Sequence, residues 1–276
     1  MQEYLDTNRA NWDDRASAHA ARTGLGYAVQ RYVDDPALLS DVVRFDLDRL
    51  GDIRGLRTVH LQCHIGTDTL SLARLGARVT GLDFSPVALT EAKALVAESG
   101  DQVQFVESDV YAALSVLEPA SYDLVYTGIG ALCWLPSIER WAQVVAGLLA
   151  PGGRLFIREG HPILWAMDET RDEDLHLRFP YFEQEKPLAW DDDSTYVATD
   201  RPLTATKTYE WNHGLGEIVT SLLAAGLTLT MLVEHDSVPW EALPGQMIER
   251  ADGEFALDAR AGVAPLSYTI QAVKPG

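Results

Sequence analysis

The stretch that decides the fold of this chain is Val59-His60-Leu61-Gln62-Cys63-His64-Ile65-Gly66-Thr67-Asp68, an apolar run that turns sharply into a helix-forming segment at residues 69–75. We interpret it as a β-strand, a tight turn and a helix. In a doubly wound sheet, the carboxyl end of such a strand opens into a crevice, and the free N–H groups of the helix face that crevice. The stretch therefore predicts an α/β sheet with a small-ligand site at this edge.

A second apolar run, residues 78–85, carries an acid near its end. This acid, Asp83, lies 17 residues beyond Gly66. A carboxylate at the end of the second strand of a doubly wound sheet can accept hydrogen bonds from both hydroxyls of a ribose. The two runs together predict a nucleoside-binding site.

The residues around the first turn resemble the class I S-adenosylmethionine-dependent methyltransferases. The first motif of that family is an acid followed by three alternating glycines, and here His60, Gln62 and His64 stand in the first three places while Gly66 keeps the last. Residues 67–77 are similar to the family's first helix and the turn into its second strand. The resemblance implies S-adenosyl-L-methionine as cofactor and a Rossmann-like, doubly wound sheet of seven mostly parallel strands with one antiparallel strand.

The resemblance also implies a division of the chain. Residues 1–50 have helical patterns, and residues 11–19 resemble the helical cap that many small-molecule methyltransferases fold over the cofactor. We expect residues 51–276 to form the methyltransferase domain, with a substrate-cover insertion at about 160–205, which could include a short hairpin.

Within the cap, separate helices are predicted at residues 4–12, 15–22 and 36–50, and in the last of them the apolar residues follow a helical period. Asp35, just before a proline, is the expected start of the third helix.

Ten residues are expected to bind the cofactor by this resemblance: Trp12, Arg15, Gln62, His64, Gly66, Asp83, Phe84, Asp109, Val110 and Thr127. Arg15 would pair with the methionine carboxylate, and Asp109 would accept a hydrogen bond from the adenine amino group. Other readings stay open, because Trp12 could instead anchor a helix on the sheet, Arg15 could pair with a nearby acid, and Asp109 could cap the next helix.

Residues 154–158 are predicted as the fifth strand, and two residues after it are candidates for a general base. Glu159 and His161 follow this central strand, where related enzymes meet the acceptor, and an imidazole can take a proton near neutral pH. A histidine before a proline can equally have a purely structural role.

The composition bounds the class of partner. A net charge of −19 over 276 residues, with no basic stripe, would repel a phosphate backbone, so we expect a small-molecule substrate and no nucleic acid. No apolar run suits a membrane span, and the first residues lack the features of a signal peptide, so we expect a cytoplasmic protein, monomeric or homodimeric. The two cysteines, Cys63 and Cys133, fit a reducing compartment.

The acidity is concentrated in the predicted cover. Residues 168–200 hold eleven acids against three bases, or −8 of the −19. This segment is either a solvated, mobile cover or a surface that favours cationic acceptors. The run Asp191-Asp192-Asp193 is interpreted as a solvated turn, and no metal site is expected.

The sequence therefore predicts a methyltransferase that moves the sulfonium methyl to an oxygen, nitrogen or carbon atom of a small molecule by in-line displacement. Alignment and exclusion of water are the main demands of this reaction. The alternative is a catalytically inactive cofactor-binding or regulatory protein of the same fold. A nicotinamide-dependent oxidoreductase is disfavoured, because the glycines that admit a diphosphate are missing.

Overall fold

A computed structural model of the chain describes residues 2–276, and twelve strands alternate with ten α-helices along them. The strands are β1 Arg57–Leu61, β2 Arg78–Asp83, β3 Gln104–Glu107, β4 Tyr122–Thr127, β5 Leu149–Gly160, β6 Leu188–Asp191, β7 Lys207–Glu210, β8 Thr228–His235, β9 Ser237–Val238, β10 Met247–Glu249, β11 Phe255–Leu257 and β12 Ser267–Val273. The helices are α1 Gln2–His19, α2 Gln30–Asp34, α3 Asp41–Phe45, α4 Leu47–Leu50, α5 Thr67–Arg74, α6 Pro86–Ser99, α7 Ala113–Val116, α8 Ile138–Leu148, α9 Pro162–Trp165 and α10 Leu215–Ala224. Short 3-10 helices cover Val110–Ala112 and Leu132–Trp134.

The main sheet has seven strands in the order β3-β2-β1-β4-β5-β12-β8. All neighbours from β3 to β5 pair in parallel, whereas β12 pairs antiparallel with both β5 and β8. The order reverses at β1 and β4, and such a switch point leaves a crevice at the carboxyl ends of the strands. The predicted fold class, with its single antiparallel strand, is confirmed.

The core lies on both faces of this sheet, because side chains of a buried strand alternate between its faces. In β4, Val125 belongs to a cluster with Trp141 of α8 and Ile218 of α10, while Leu124 and Tyr126 belong to the opposite cluster. That second cluster is completed by residues of α3 to α5: Val43, Leu50 and Leu72. The central strands are therefore covered on both faces, and their carboxyl ends remain the place where a ligand can enter.

Local sequence signals set both ends of α6. Ser85 precedes the helix, its hydroxyl accepts from the backbone N–H of Ala88 at 3.0 Å, and Pro86 stands in the first turn. Gly100 ends the helix with a φ of 77°. This helix holds the end of β2, where Asp83 lies, in a fixed position.

The cap departs from the predicted helix boundaries. Residues 2–19 form one helix instead of two. The helix predicted at 36–50 is two short helices, α3 and α4, and α3 begins at Asp41 with Ser40 as its N-cap, not at Asp35. The Ser40 hydroxyl accepts from the Val43 N–H at 3.3 Å, whereas Asp35 accepts from Ala37 in a tight turn. The prediction at Asp35 was wrong because a side-chain cap five residues later competes with it.

Helix α1 docks on residues 204–210 through polar contacts. The Asn8 amide donates to the Tyr209 carbonyl at 2.7 Å and accepts from the Tyr209 N–H at 2.8 Å. The Asn11 amide donates to the carbonyl of Ala205 at 2.6 Å, and the Asp14 carboxylate accepts from the N–H of Thr204. Because these bonds use the backbone of a distant segment, α1 joins it without an apolar stripe.

Residues 161–206, after β5, contain little regular structure. Within this stretch only the short helix α9 and strand β6 are regular, and β6 forms a two-stranded antiparallel sheet with β7. A second small sheet has the order β10-β11-β9. Among residues 2–276, no helix is both long enough and apolar enough to cross a membrane.

Candidate active site

A cavity of about 830 Å³ opens at the carboxyl ends of β1, β2 and β4. Its floor is formed by loop residues that follow these strands, and its other walls come from α1, from residues 164–211 and from residues 239–244. Small-molecule sites usually have volumes of ~300–1,000 Å³. The cavity is therefore large enough for a nucleoside-sized molecule together with a second, smaller one.

The loop after β1 keeps a left-handed backbone at the places where the family has glycines. The φ angles are 56° at Gln62, 50° at His64 and 79° at Gly66. Left-handed backbone costs a residue with a side chain roughly 1–2 kcal/mol. The chain thus retains the loop's shape without two of its glycines, and other contacts must stabilise it.

Gln62 connects this loop to the loop after β4. Its amide nitrogen donates to the carbonyl of Ala131 at 2.8 Å, and its Oε1 is buried without a hydrogen-bond partner in the part of the chain that the structure describes. Gln62 lines the cavity. The amide is thus held by one end, and its oxygen is available to a donor on a ligand.

His64 connects the loop to the cap. Its Nε2 lies 2.8 Å from Nδ1 of His19, whose Nε2 lies 2.7 Å from the hydroxyl of Thr195. The ring of Trp12 packs edge-on against His64, with centroids 4.9 Å apart. Burial lowers the pKa of His64 to about 3 and that of His19 to about 2, so both rings are neutral at physiological pH.

Asp83 lies at the end of β2, on the wall of the cavity. Its two oxygens accept from the backbone N–H groups of His64 at 2.8 Å and Ser85 at 2.9 Å. Burial raises the pKa of the carboxyl to about 6, against the effect of these hydrogen bonds. The carboxylate therefore holds the glycine-poor loop in place and still presents lone pairs to the cavity.

The third and fourth strand ends contribute fewer predicted residues. Asp109 and Val110, which follow β3, line the cavity, as does Phe84 directly after β2. Asp109 also accepts from the N–H of Tyr111 at 2.7 Å, so it caps the helical turn that begins there. Thr127 is fully buried, and it is the next residue, Gly128, that reaches the cavity.

Gly66 is also absent from the cavity wall. A Cβ there would lie 3.0 Å from Cβ of Ala92 and 3.2 Å from the ring of Phe105. Its role is therefore to allow the turn and the close packing of helix on strand.

Trp12 and Arg15 bring the cap to the cavity, as the resemblance implied. Trp12 packs edge-on against Trp134, with centroids 5.2 Å apart, and the Arg15 guanidinium lies 5.6 Å from the Trp12 ring. Arg15 donates to Asn11 at 2.6 Å and to the hydroxyl of Thr195 at 3.3 Å. Within residues 2–276 it forms no ion pair, so its charge is available to an anionic group.

Glu159 does not line the cavity. Its carboxylate accepts backbone N–H groups from Gly130 at 2.5 Å, from Ala131 and Leu132 at 2.8 Å, and from Gly160 at 2.6 Å. The side chain is buried, which raises its pKa, and the four donors oppose that rise. The geometry favours a positioning role, in which Glu159 holds the loop that Gln62 contacts.

His161 also lies outside the cavity wall. Its Nδ1 accepts from the N–H of Ile163 at 3.1 Å, as the N-cap of α9, and its Nε2 lies 3.1 Å from the Glu234 carboxylate. Both ring nitrogens are therefore occupied by protein groups. The assignment of a base to Glu159 or His161 stays a prediction, and the structure places neither against the space where an acceptor would lie.

Other titratable groups on the cavity wall escaped the sequence reasoning. Burial raises the pKa of Glu210 to about 7 and that of Asp68 to about 6, and it raises the pKa of Glu169. Asp68 stands in the first turn of α5, and its carboxylate is 3.1 Å from where a Cβ on Gly128 would lie. The position of Asp68, just after the first motif ends at Gly66, could have marked it as a site residue. Glu210 lies on a short edge strand that no sequence motif marks.

Acids outnumber arginines on this wall. The arginines are Arg15 and Arg31, and the acids are Asp41, Asp68, Asp83, Asp109, Glu169, Asp192, Glu210 and Glu241. The histidines His60 and His64 add no charge at neutral pH, because burial lowers the pKa of each to about 3. The cavity is therefore an anionic environment.

Comparisons with known proteins agree with this geometry. Residues 59–155 match the family model described as a methyltransferase domain. The ubiquinone biosynthesis O-methyltransferase of Cupriavidus pinatubonensis is 37% identical over 111 residues, which are 40% of this chain and 44% of the relative. That of Klebsiella pneumoniae is 35% identical over 109 residues, which again are 40% of this chain and 44% of the relative. The chain thus matches less than half the length of these curated relatives.

Solved structures support the fold over a longer stretch. An S-adenosylmethionine-dependent methyltransferase from Mesorhizobium loti superposes with a TM-score of 0.56 at 20% identity, covering 88% of this chain and 100% of that one. A Listeria monocytogenes protein, provisionally described in the same way, has a TM-score of 0.60 at 20% identity, covering 86% of this chain and 99% of that one. At such identities the likeness concerns the fold.

The matched segment runs from β1 into β5 and so contains every strand end on the floor of the cavity. With the seven-stranded sheet and the left-handed loop after β1, this match confirms the resemblance found in the sequence. Residues 59–155 are thus identified as a methyltransferase domain, and the whole chain shares the fold of solved S-adenosylmethionine-dependent methyltransferases.

Proposed function

We propose that this protein transfers a methyl group from S-adenosyl-L-methionine to a small molecule. The observation that carries the proposal is the cavity at the switch point, where the left-handed loop of Gln62 and His64 meets Asp83 and Asp109. Its volume of about 830 Å³ exceeds what one nucleoside requires and leaves room for an acceptor. We further propose that residues 1–50 act as a cap on a methyltransferase domain of residues 51–276, with residues 160–205 as the substrate cover.

The residues present fit the donor. Asp83 offers carboxylate oxygens to ribose hydroxyls, and Asp109 with Val110 offers an acceptor and an apolar surface to the adenine. The unpartnered Oε1 of Gln62 and the unpaired guanidinium of Arg15 suit the amino and carboxylate groups of the methionine part. These four roles remain our assignments.

When bound, the donor supplies a methyl group already activated by the sulfonium. The chain then has to align the acceptor and to exclude water, and here the cap and the cover supply the walls. The bonds from Asn8, Asn11 and Asp14 to residues 204–209 hold those two walls together. Polar contacts therefore join the cap to this segment, beside the packing of the Tyr4 ring on the ring of Tyr209.

A titration separates this proposal from its alternatives. We expect S-adenosylmethionine and S-adenosylhomocysteine to bind in calorimetry and NADH not to bind. Incubation with S-adenosylmethionine and a metabolite extract should then yield products heavier by one methylene, detected by mass spectrometry. Binding of NADH alone would contradict the proposal.

One observation favours a second candidate, a binding protein of this fold without catalysis. His64 fills a glycine place and is bonded to His19 and packed on Trp12, which narrows the cavity beside the loop. Such a protein would bind S-adenosylhomocysteine and yield no methylated product from any extract. A product in the mass spectrum would exclude it.

A further inference from the structure

The walls of the cavity are unusually rich in indole rings. Of the seven tryptophans in the chain, six line it: Trp12, Trp134, Trp165, Trp190, Trp211 and Trp240. The remaining one, Trp141, is buried under the sheet. Trp12 and Trp134 lie beside the cofactor loops, whereas the other four belong to α9 and to segments after it. Indole faces attract cations more strongly than other side-chain rings do.

Two carboxylates, those of Glu169 and Glu210, line the same cavity. Within residues 2–276, neither Glu169 nor Glu210 takes part in an ion pair. Trp190 lies beside Glu210, but its indole nitrogen does not reach hydrogen-bond geometry. Glu210 is half-buried, so its charged form is costly unless a cation joins it, whereas Glu169 is exposed and adds negative charge at the cavity wall. The pair thus calls for a positively charged ligand.

A third group, Asn212, points to the same ligand. It is 8% exposed and lines the cavity, and its amide nitrogen donates to the carbonyls of Pro162 at 2.8 Å and Pro180 at 3.0 Å. Its Oδ1 is left buried without a partner in the described chain. A buried acceptor without a donor is uncommon, and a ligand N–H would satisfy it.

The nearby cation does not remove this requirement. Arg15 is the positive group that acts on Glu210, while Glu169 acts on it with a negative charge. The guanidinium donates to Asn11 and Thr195 and not to Glu210. If Arg15 takes the methionine carboxylate, as proposed above, the negative charge of Glu210 and Glu169 remains for the acceptor.

We propose that the acceptor is an amine that arrives as an ammonium ion, held by Glu210 and Glu169 between indole faces, so that the methyl group is transferred to nitrogen. This inference rests on the proposed methyltransferase function and specifies its substrate class. Glu210 is the residue we expect to touch the nitrogen, and Glu169 contributes charge.

In this methyl transfer Glu210 accepts the proton of the acceptor, and the sulfur of the donor is the leaving group. The ammonium first gives one proton to the Glu210 carboxylate, which frees the nitrogen lone pair. That lone pair forms a bond to the methyl carbon while the bond from carbon to sulfur breaks, and the sulfur keeps the electron pair. The pKa of Glu210, raised by burial to about 7, suits it to hold that proton and to release it to solvent afterwards.

The donor carries an ammonium group too, so Glu210 could serve that group instead. Asp68 is the better placed acid for it, because it directly follows the loop of His64 and Gly66 and lies beside Gly128. The two assignments differ in what a change at Glu210 does. If Glu210 holds the acceptor, replacing Glu210 weakens the binding of the acceptor and leaves the affinity for S-adenosylhomocysteine unchanged.

The test measures binding to the full-length protein saturated with S-adenosylhomocysteine. Calorimetry at neutral pH compares 2-phenylethylamine, which is an ammonium ion, with 2-phenylethanol, which is its neutral counterpart of similar shape. We expect the amine to bind about tenfold more tightly or better, as hydrogen bonds to charged groups and cation–π contacts allow. Glu210→Gln should abolish this preference, and Glu210→Asp, which keeps the charge, should retain part of it.

Glu185→Gln is the matched control, since Glu185 is an exposed acid of the same segment outside the cavity wall. It should keep the full preference. The inference is overturned if the alcohol binds as tightly as the amine, if neither probe binds, or if Glu210→Gln keeps the preference. It is also overturned if Glu210→Gln lowers the affinity for S-adenosylhomocysteine as much as it lowers the affinity for the amine. Failure of S-adenosylhomocysteine to bind the unaltered protein would instead refute the proposed function itself.

Discussion

The two halves of the cavity are built in different ways. The half beside the strand ends takes Asp83 from the last position of β2, and it takes Gln62, His64 and Asp109 from the loops that follow β1 and β3. The half beyond it takes Trp165, Trp190, Glu210, Trp240 and others from short elements far apart in the chain. The first half is specified by local sequence, and the second exists only because the cap, the insertion and the loop before β10 meet.

The difference corresponds to the chemistry that each half would perform. A nucleoside cofactor is the same molecule in every member of a family, so its contacts can be placed at constant offsets from the strands. An acceptor differs from one enzyme to the next, and its contacts come from segments that can vary without changing the sheet. The comparison suggests four experiments, in order of decreasing expected effect.

Glu159→Gln should have the largest effect, because Glu159 supports the loop between both halves. The NH2 group of the new amide would face backbone N–H groups that now donate to the carboxylate. Leaving those N–H groups without an acceptor should lower the free energy of unfolding by roughly 3 kcal/mol. Chemical denaturation measures the loss. Asp193→Asn, a change at an exposed acid, should leave the stability unaltered. A stable Glu159→Gln protein with impaired turnover alone would show that Glu159 is a base after all.

Asp83→Asn should affect the cofactor half selectively. If its carboxylate accepts the ribose hydroxyls, losing the charge should weaken S-adenosylhomocysteine about 10- to 100-fold. Calorimetry gives the affinity, and thermal melting checks that the loop still holds the N–H groups of His64 and Ser85. Equal affinities for both proteins would remove the ribose role.

The same variant isolates the pH dependence. The pKa of Asp83 is raised to about 6, so its carboxylate is ionised above pH 6 and becomes protonated as the pH falls through that value. A protonated carboxyl loses acceptor capacity, so the affinity for S-adenosylhomocysteine should decrease below about pH 6. Asp68 titrates in the same range, and the part of the decrease that disappears in Asp83→Asn belongs to Asp83.

Gly160→Ala should affect the outer half. A Cβ on Gly160 would lie 2.6 Å from Cζ2 of Trp165, so the ring must move, at a cost of roughly 1–3 kcal/mol. Trp165 stacks on Trp240, with centroids 5.8 Å apart, so indole fluorescence should change as well. The affinity for S-adenosylhomocysteine should hold within about twofold, since the cofactor half is separate.

Gly216→Ala is the control for that change. It stands in α10 with nothing within 4 Å of its would-be Cβ, so alanine should stabilise the helix by about 0.5–1 kcal/mol. If Gly160→Ala lowered the affinity for S-adenosylhomocysteine as strongly as Asp83→Asn does, the two halves of the cavity would not be independent.

The smallest effect concerns the left-handed loop. His64→Gly and His64→Ala both lose the contacts with His19 and Trp12, but only glycine relieves the φ of 50°. The glycine variant should therefore be more stable than the alanine variant by about 1 kcal/mol, the reverse of the usual ranking. Denaturation of both proteins measures the difference, and an equal or greater stability of the alanine variant would mean that the loop relaxes.

Much of the fold was accessible to sequence reasoning. The second strand was predicted at residues 78–85, and the structure has it as β2, which starts at the same residue and ends at Asp83, because its residues form a buried run. The cap was predicted less well. Helix α1 forms hydrogen bonds to residues 204–209, and an apolar sequence period cannot predict such bonds.

The candidate site shows the same division. Asp83, Phe84 and Asp109 were singled out because each ends or directly follows a strand, and they line the cavity. Glu159 lies near the end of β5 and His161 directly follows that strand, yet their side chains turn to protein partners, which spacing alone cannot reveal. Glu210 was overlooked because it acquires its interest only when Arg15, Glu169 and Trp190 surround it.

The sequence by itself determined the sheet, its switch point and the resemblance to methyltransferases. These features follow from short-range patterns, namely buried runs, turns and caps, whose meaning does not depend on distant residues. Only the tertiary structure decided which side chains face the cavity and which acids stay unpaired there. Both depend on desolvation, which is set by everything that packs around a group and is written in no single stretch of the chain.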